Sequence, residues 1–101
     1  MELVKLKEMN KKDLKQWEIV FKGLGNSNRL RILQLLKSKG TMSVTELSEE
    51  LDISFKNTSR NLRILANLDL VDSKGKYDRV FYSVSPRLKD EVRKVLSDSI
   101  I

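Results

Sequence analysis

Ser43-Val44-Thr45-Glu46-Leu47-Ser48-Glu49-Glu50-Leu51-Asp52-Ile53-Ser54-Phe55-Lys56-Asn57-Thr58-Ser59-Arg60-Asn61-Leu62-Arg63-Ile64-Leu65-Ala66-Asn67-Leu68 is the stretch that decides the fold. Its first half sets Val44, Leu47 and Leu51 on one helical face and Glu46, Glu49 and Glu50 on the solvent side, which is the pattern of a short amphipathic helix. Ser43 followed three residues later by Glu46 reads as a capping box: the serine hydroxyl takes one free amide and the glutamate returns to the serine amide. Asp52-Ile53 interrupts the pattern. Ser54 then offers the N-cap of a second helix running to about Leu68. Two helices joined by so tight a turn spell helix-turn-helix over 44–68.

The second helix divides by face. Phe55, Thr58, Leu62, Leu65 and Ala66 share one stripe and are expected to enter a core, whereas Lys56, Asn57, Ser59, Arg60, Arg63 and Asn67 fall elsewhere. That second set contains no acid, although a merely solvated helix usually mixes both signs. Asn and Arg side chains form paired hydrogen bonds to purine edges in the DNA major groove, and Ser and Lys bind phosphates. The bland alternative is a cationic surface helix with no ligand. The helix alone leaves both readings open, and its context has to decide.

The composition narrows the choice. The chain has 101 residues, 40% of them hydrophobic, which is enough for one domain with a modest core. Its formal net charge of +6 favours a polyanionic partner, nucleic acid ahead of a membrane surface. No apolar run is long enough to span a bilayer and no signal peptide opens the chain, so a cytoplasmic protein without membrane attachment is expected. With no Cys and no His, disulfides, thiol redox chemistry and the usual zinc, copper and nickel ligands are excluded. Most nucleophilic and acid-base catalysis goes with them, because scattered Ser, Lys and acids do not assemble a nucleophile, a base and a metal; no enzyme and no cofactor is expected.

Outward from the central stretch, elements follow on both sides. Met1 to Glu8 is a lysine-rich lead-in. Asn10, with Asp13 three residues on, starts a helix over 10–25 on which Leu14, Trp17, Phe21 and Leu24 recur at helical spacing. Asn26 caps a next helix whose Leu30, Ile32, Leu33, Leu35 and Leu36 leave little solvent face before Lys39-Gly40 stops it, so it is expected to be the central one. Arg29 and Arg31 near its start are unfavourably placed for the helix dipole, so they either reach solvent or meet phosphate, and solvent is the expectation preferred. Thr41-Met42 can form a one-bridge strand. From Leu70 the period changes to two: Leu70-Val71-Asp72-Ser73 and Arg79-Val80-Phe81-Tyr82-Ser83-Val84 flank Lys74-Gly75-Lys76-Tyr77-Asp78, a hairpin loop with a basic tip. Beside a basic helix, Lys74, Lys76 and Arg79 read as a wing over 70–84 that lies along a nucleic-acid backbone or reaches a minor groove. Ser85-Pro86 opens a last helix over 86–99, with Leu88, Val92, Val95 and Leu96 on one face. Leu14, Trp17 and Phe21 of the first helix and Leu88, Val92, Val95 and Leu96 of the last exceed what one small domain can cover, which predicts a homodimer built on these two helices.

The order is helix, helix, helix-turn-helix, hairpin, helix. The fold expected is mainly α with a small β-hairpin: a winged helix-turn-helix with extra N- and C-terminal dimerisation helices, one domain spanning 1–101. At this point the residues resemble a known family. Phe21-Lys22-Gly23-Leu24-Gly25-Asn26-Ser27-Asn28-Arg29-Leu30-Arg31-Ile32-Leu33 is similar to the opening motif of the ArsR/SmtB-type bacterial and archaeal repressors. Ser43 to Ser48 and Ser54 to Leu65 are similar to its helix-turn-helix, and Arg79 to Val84 to its second wing strand. The resemblance implies a homodimeric regulator, expected to be a repressor, that binds double-stranded DNA with the helix from Ser54 in the major groove. The DNA-binding residues are then Ser54, Lys56, Asn57, Ser59, Arg60 and Arg63 on that helix and Lys74, Lys76 and Arg79 on the wing.

The departures from the family matter as much. The family often has His where Asn61 stands, and its metal sensors carry Cys where Ser43 and Thr45 stand. Other sensors of the family use His and acids on the last helix, where only Asp90, Glu91 and Asp98 are present. The known metal-sensing sites are absent, no metal is expected, and the effector is unknown. Asp52 and Asp69 replace the family's helix-ending glycines, and Asp tolerates the left-handed conformation better than most residues. Glu46, Glu49, Glu50 and Asp52 read as a solvated helix face ahead of a hard-cation site. The competing reading is a winged-helix module that binds protein instead of DNA, for which acids or apolar groups would be expected on the outward face of the second helix.

Overall fold

Asn26 opens the helix around which the others are packed. In the computed structural model, which describes residues 11–87, the elements are α1 (Lys11–Leu24), α2 (Ser27–Lys39), β1 (Met42–Ser43), α3 (Val44–Leu51), α4 (Phe55–Asn67), β2 (Val71–Lys76) and β3 (Arg79–Val84). The Asn26 side chain accepts from the amides of Asn28 at 3.0 Å and Arg29 at 3.2 Å, filling two of the donors that a helix start leaves unpaired. At the other end Gly40, at φ +85°, gives its amide to the Leu36 carbonyl at 2.8 Å. Between these caps Ile32, Leu33 and Leu36 are buried, and α2 packs against α1, α3, α4 and β3, the central position expected of it.

The capping box of α3 is complete, with Ser43 Oγ accepting from Glu46 N at 3.1 Å and Glu46 Oε1 accepting from Ser43 N at 2.9 Å. Asp52 ends α3 in the left-handed region at φ 56°, and Asp69 takes φ 60° beyond α4, as the family's glycines would. Ser54 caps α4 by accepting from Asn57 N at 3.0 Å. The buried Thr58 gives its hydroxyl proton to the Ser54 carbonyl at 2.9 Å, so its polar atom has a partner in the core. Leu47, Leu62 and Leu65 have no exposed surface; burying such a side chain contributes about 1.5–3 kcal/mol.

The sheet has the order β1-β3-β2, all antiparallel, with Met42 opposite Tyr82 and Ser43 opposite Phe81. Pairing with β3 pulls β1 one residue later than Thr41-Met42. The hairpin is longer and its loop shorter than expected: Gly75 pairs with Val80 and Lys76 with Arg79 inside the ladder, so the turn is Tyr77-Asp78 alone. A Cβ at Gly75 would meet nothing, and this glycine is a strand residue instead of a turn residue. Tyr77 takes φ +60° as the first residue of that two-residue turn, a conformation a bulky side chain adopts only under constraint.

Two further expectations are corrected. Phe55 is 57% exposed because it lies before the point where α4 meets the core; Ile53, in the turn, packs against the core at that end. Arg29 does not reach out to solvent. Its guanidinium gives Nε to the Gly23 carbonyl at 2.9 Å, Nη2 to the Lys22 carbonyl at 3.5 Å and Nη1 to Asn61 Oδ1 at 3.1 Å. Arg31, although exposed, gives Nη1 to the Leu51 carbonyl at 3.4 Å. Each arginine finishes the C-terminus of another helix, where carbonyls lack partners and a cation is favoured.

Ser85 is fully buried; its amide donates to the Leu70 carbonyl at 3.1 Å, and its Oγ accepts from Arg87 N at 3.1 Å. The helix expected over 86–99, with Leu88, Val92, Val95 and Leu96, lies outside the described residues. So does the lead-in before Lys11.

Candidate nucleic-acid interface

Lys56, Arg60, Arg63 and Asn67 stand at i, i+4, i+7 and i+11 on α4, and all four are exposed. Among the described residues none of the three cations takes part in an ion pair: the pairs present join Lys15 to Glu18, Lys39 to Glu50, and Arg87 to Asp69 and Asp72. A helix that merely met solvent would gain from an acid four residues away. This one has none. Ser54 is exposed at the helix start, with its oxygen already capping Asn57; Asn57 and Ser59 are half-buried beside the stripe.

The wing supplies a second basic surface. Side chains alternate along a strand and partners across a ladder share a face, so Lys74, Lys76 and Arg79 lie together on one face of the hairpin. The opposite face carries Val71, Tyr82 and Val84 against the core. Lys76 and Arg79 are directly paired across the strands, and like charges so placed repel. A polyanion lying along this face relieves that cost. Arg79 also acts on Glu46: the Glu46 carboxyl is held below the usual glutamate value chiefly by its hydrogen bonds from Ser43, with a smaller contribution from the Arg79 charge.

The sequence-derived residues therefore fall on two basic surfaces, one on α4 and one on the hairpin whose β2 packs against that helix, and two residues not foreseen join them. Phe55 stands exposed at the start of α4, where an apolar group can meet a thymine methyl. Tyr77 is 96% exposed at the wing tip, with the Lys76 ammonium 5.9 Å from its ring centroid. Phe55 was hidden by helical periodicity, which counted it as core. A hydroxyl-bearing aromatic between Lys76 and Asp78 gave no signal beyond its position in the hairpin.

On α1, Leu14 is 48% and Phe21 58% exposed, and Phe21 stacks on the half-buried Trp17 with ring centroids 5.7 Å apart. Val20 is the residue of this helix that enters the core. Of the dimer residues predicted on α1, Leu14 and Phe21 are thus exposed among the described residues, whereas Trp17 also packs against the core.

Residues 24–74 match a family described as a helix-turn-helix domain. The structure resembles HlyU from Vibrio cholerae with a TM-score of 0.77 and 30% identity, covering 87% of this chain and 91% of that one. The chain belongs to the ArsR/SmtB-type winged helix-turn-helix regulators. Within that family architecture it is also similar to the homodimeric winged helix-turn-helix DNA-binding domain Mb0332 from Mycobacterium bovis, a candidate ArsR-family regulator, with a TM-score of 0.73, 25% identity and coverage of 88% of this chain and 82% of that one. PagR of Bacillus anthracis, a transcriptional repressor, shares the fold with a TM-score of 0.75 and 16% identity over 87% of this chain and 97% of that one. Comparison with curated protein sequences returns no match.

Proposed function

We propose that the protein is a homodimeric, sequence-specific repressor that binds double-stranded DNA through α4 in the major groove and the hairpin as wing. The observation that carries this reading is the acid-free stripe of Lys56, Arg60 and Arg63, in no ion pair among the described residues, on a helix that packs against the hairpin bearing Lys74, Lys76 and Arg79 on one face. Ser54, Asn57 and Ser59 complete the helix surface. Leu14 and Phe21, exposed among the described residues, with the half-buried Trp17 and with Leu88, Val92, Val95 and Leu96, which the sequence pattern sets on one face, form the dimer contact, as the homodimeric relative supports.

Metal control does not fit these residues. The positions matching the family's thiolates are Ser43 and Thr45, neutral hydroxyls that bind zinc poorly, and Ser43 Oγ is held as the cap of α3. Regulation comes from another ligand, a partner protein or the amount of repressor made.

Selection of bound duplexes from a random pool tests the function. A two-fold symmetric site is expected, with half-sites about one helical turn, 34–36 Å, apart. A pool that emerges unenriched at low salt would overturn the reading in favour of a protein-binding module.

A further inference from the structure

Arg29 is remote from the proposed DNA surface, yet a line of hydrogen bonds runs from it to Asn57, which lies on that surface. Arginine has five donors and no acceptor. The group facing Nη1 at 3.1 Å must therefore be an acceptor, which fixes the Asn61 side chain with its oxygen toward Arg29 and its amine toward Asn57. Asn61 is 5% exposed, and turning its amide over would set one donor, its Nδ2, against another, Arg29 Nη1. Its Nδ2 gives one proton to the Asn57 carbonyl at 3.1 Å and the other to Asn57 Oδ1 at 2.9 Å. The polarity passes on: Asn57 must hold its oxygen inward, and its own amine is the outer end. Among the described residues nothing takes the protons of that amine.

We propose that Arg29, acting through Asn61, sets the hydrogen-bond polarity of Asn57, so that the repressor reads a keto base, guanine or thymine, at the position Asn57 meets. In the major groove guanine O6 and thymine O4 are acceptors, whereas adenine and cytosine offer amino donors at the equivalent place. An unconstrained asparagine pairs with adenine by using both its oxygen and its amine. Here the oxygen already serves Asn61 on the protein side, and the two free donors face outward. Arg29 and Asn61 are positioning residues; Asn57 is the reader. This rests on the DNA reading above and deepens it to base preference.

The test has one arm without DNA and one with it. In the free protein, NMR hydrogen exchange is expected to find the Asn61 side-chain amine protected and the Asn57 amine exchanging freely with water; the reverse pattern overturns the relay. With selected duplexes, Asn57→Ala locates the base position, where the wild type is expected to prefer guanine or thymine by about fivefold over the amino bases. Asn57→Asp, which presents an oxygen outward, is expected to reverse that preference towards cytosine or adenine. Arg29→Met is expected to relax preference at this one position while the rest of the site is read as before; a uniform loss of affinity would leave Arg29 a purely structural clamp and overturn its role. Should that variant not fold, the wild type and Asn57→Asp decide by themselves. Adenine at the Asn57 position of the wild-type site overturns the keto preference, and the expected exchange pattern without any selected sequence overturns the DNA reading on which it stands.

Discussion

Gly23 of α1 lies against Leu70, the residue that leads into the wing, so closely that a Cβ on Gly23 would come within 2.5 Å of Leu70 Cδ1 and 2.9 Å of Leu68 Cδ1. The helix α1 is thereby locked to the turn between α4 and the hairpin. Gly23→Ala is expected to destabilise the fold by about 1 kcal/mol, since leucine tips can turn aside but Leu70 is itself in the core. Gly75→Ala, with open space around it, serves as the control and is expected to be neutral or slightly stabilising in urea unfolding.

Phe55 and Leu62 make a contrasting pair on one helix. Phe55→Ser is expected to change stability by less than about 0.5 kcal/mol, because the ring is 57% exposed. Leu62→Ala removes a side chain with no exposed surface and is expected to cost about 2–5 kcal/mol. Equal costs in urea would place Phe55 in the core after all.

The capping box of α3 gives a pH dependence. Glu46 is held below its ordinary value of 4.5, first by the Ser43 amide and hydroxyl. A depressed folded value means that the stabilisation is complete above the unfolded value and is lost as pH falls through the folded one. Thermal midpoints of the wild type are therefore expected to fall below about pH 4.5 by more than those of Glu46→Gln, which keeps the box but does not titrate. Ser43→Ala is expected to cost about 1 kcal/mol at neutral pH. An unchanged acid limb in Glu46→Gln would show that this carboxylate is not linked to folding.

Leu14→Glu together with Phe21→Glu replaces two exposed apolar groups and is expected to give a folded monomer by sedimentation, with circular dichroism unchanged. A wild-type chain already monomeric at micromolar concentration would leave the apolar face of α1 without this occupant.

Lys74→Ala, Lys76→Ala and Arg79→Ala are each expected to reduce the steepness of log K against log salt by about 0.9 for every phosphate that is no longer neutralised, with little change in the selected sequence. Arg60→Ala is expected to relax discrimination instead, by roughly 1–3 kcal/mol for a good base contact. A slope unaffected by all three wing substitutions would take the hairpin off the DNA.

Local signals carried most of the architecture. The Ser43–Glu46 box, the Asn26 and Ser54 caps, the Gly40 stop and the left-handed Asp52 and Asp69 were all legible, because caps and turns are set by residues a few positions apart. The acid-free outer face of α4 was legible for the same reason, since helical spacing alone assigns its residues to one side. What the sequence could not determine is what each face meets. Helical spacing put Phe55 on the core stripe, but only packing shows that Ile53 covers that end of the core. The turn at Tyr77-Asp78 depends on ladder pairing across the hairpin, which the Gly and Asp of the segment do not specify. Arg29 finds its acceptors six and thirty-two positions away along the chain, at Gly23 and Asn61, and no local pattern anticipates a guanidinium that joins two helices. Short-range hydrogen bonding is written in the order of residues; burial and long-range polarity are decided only when the helices come together.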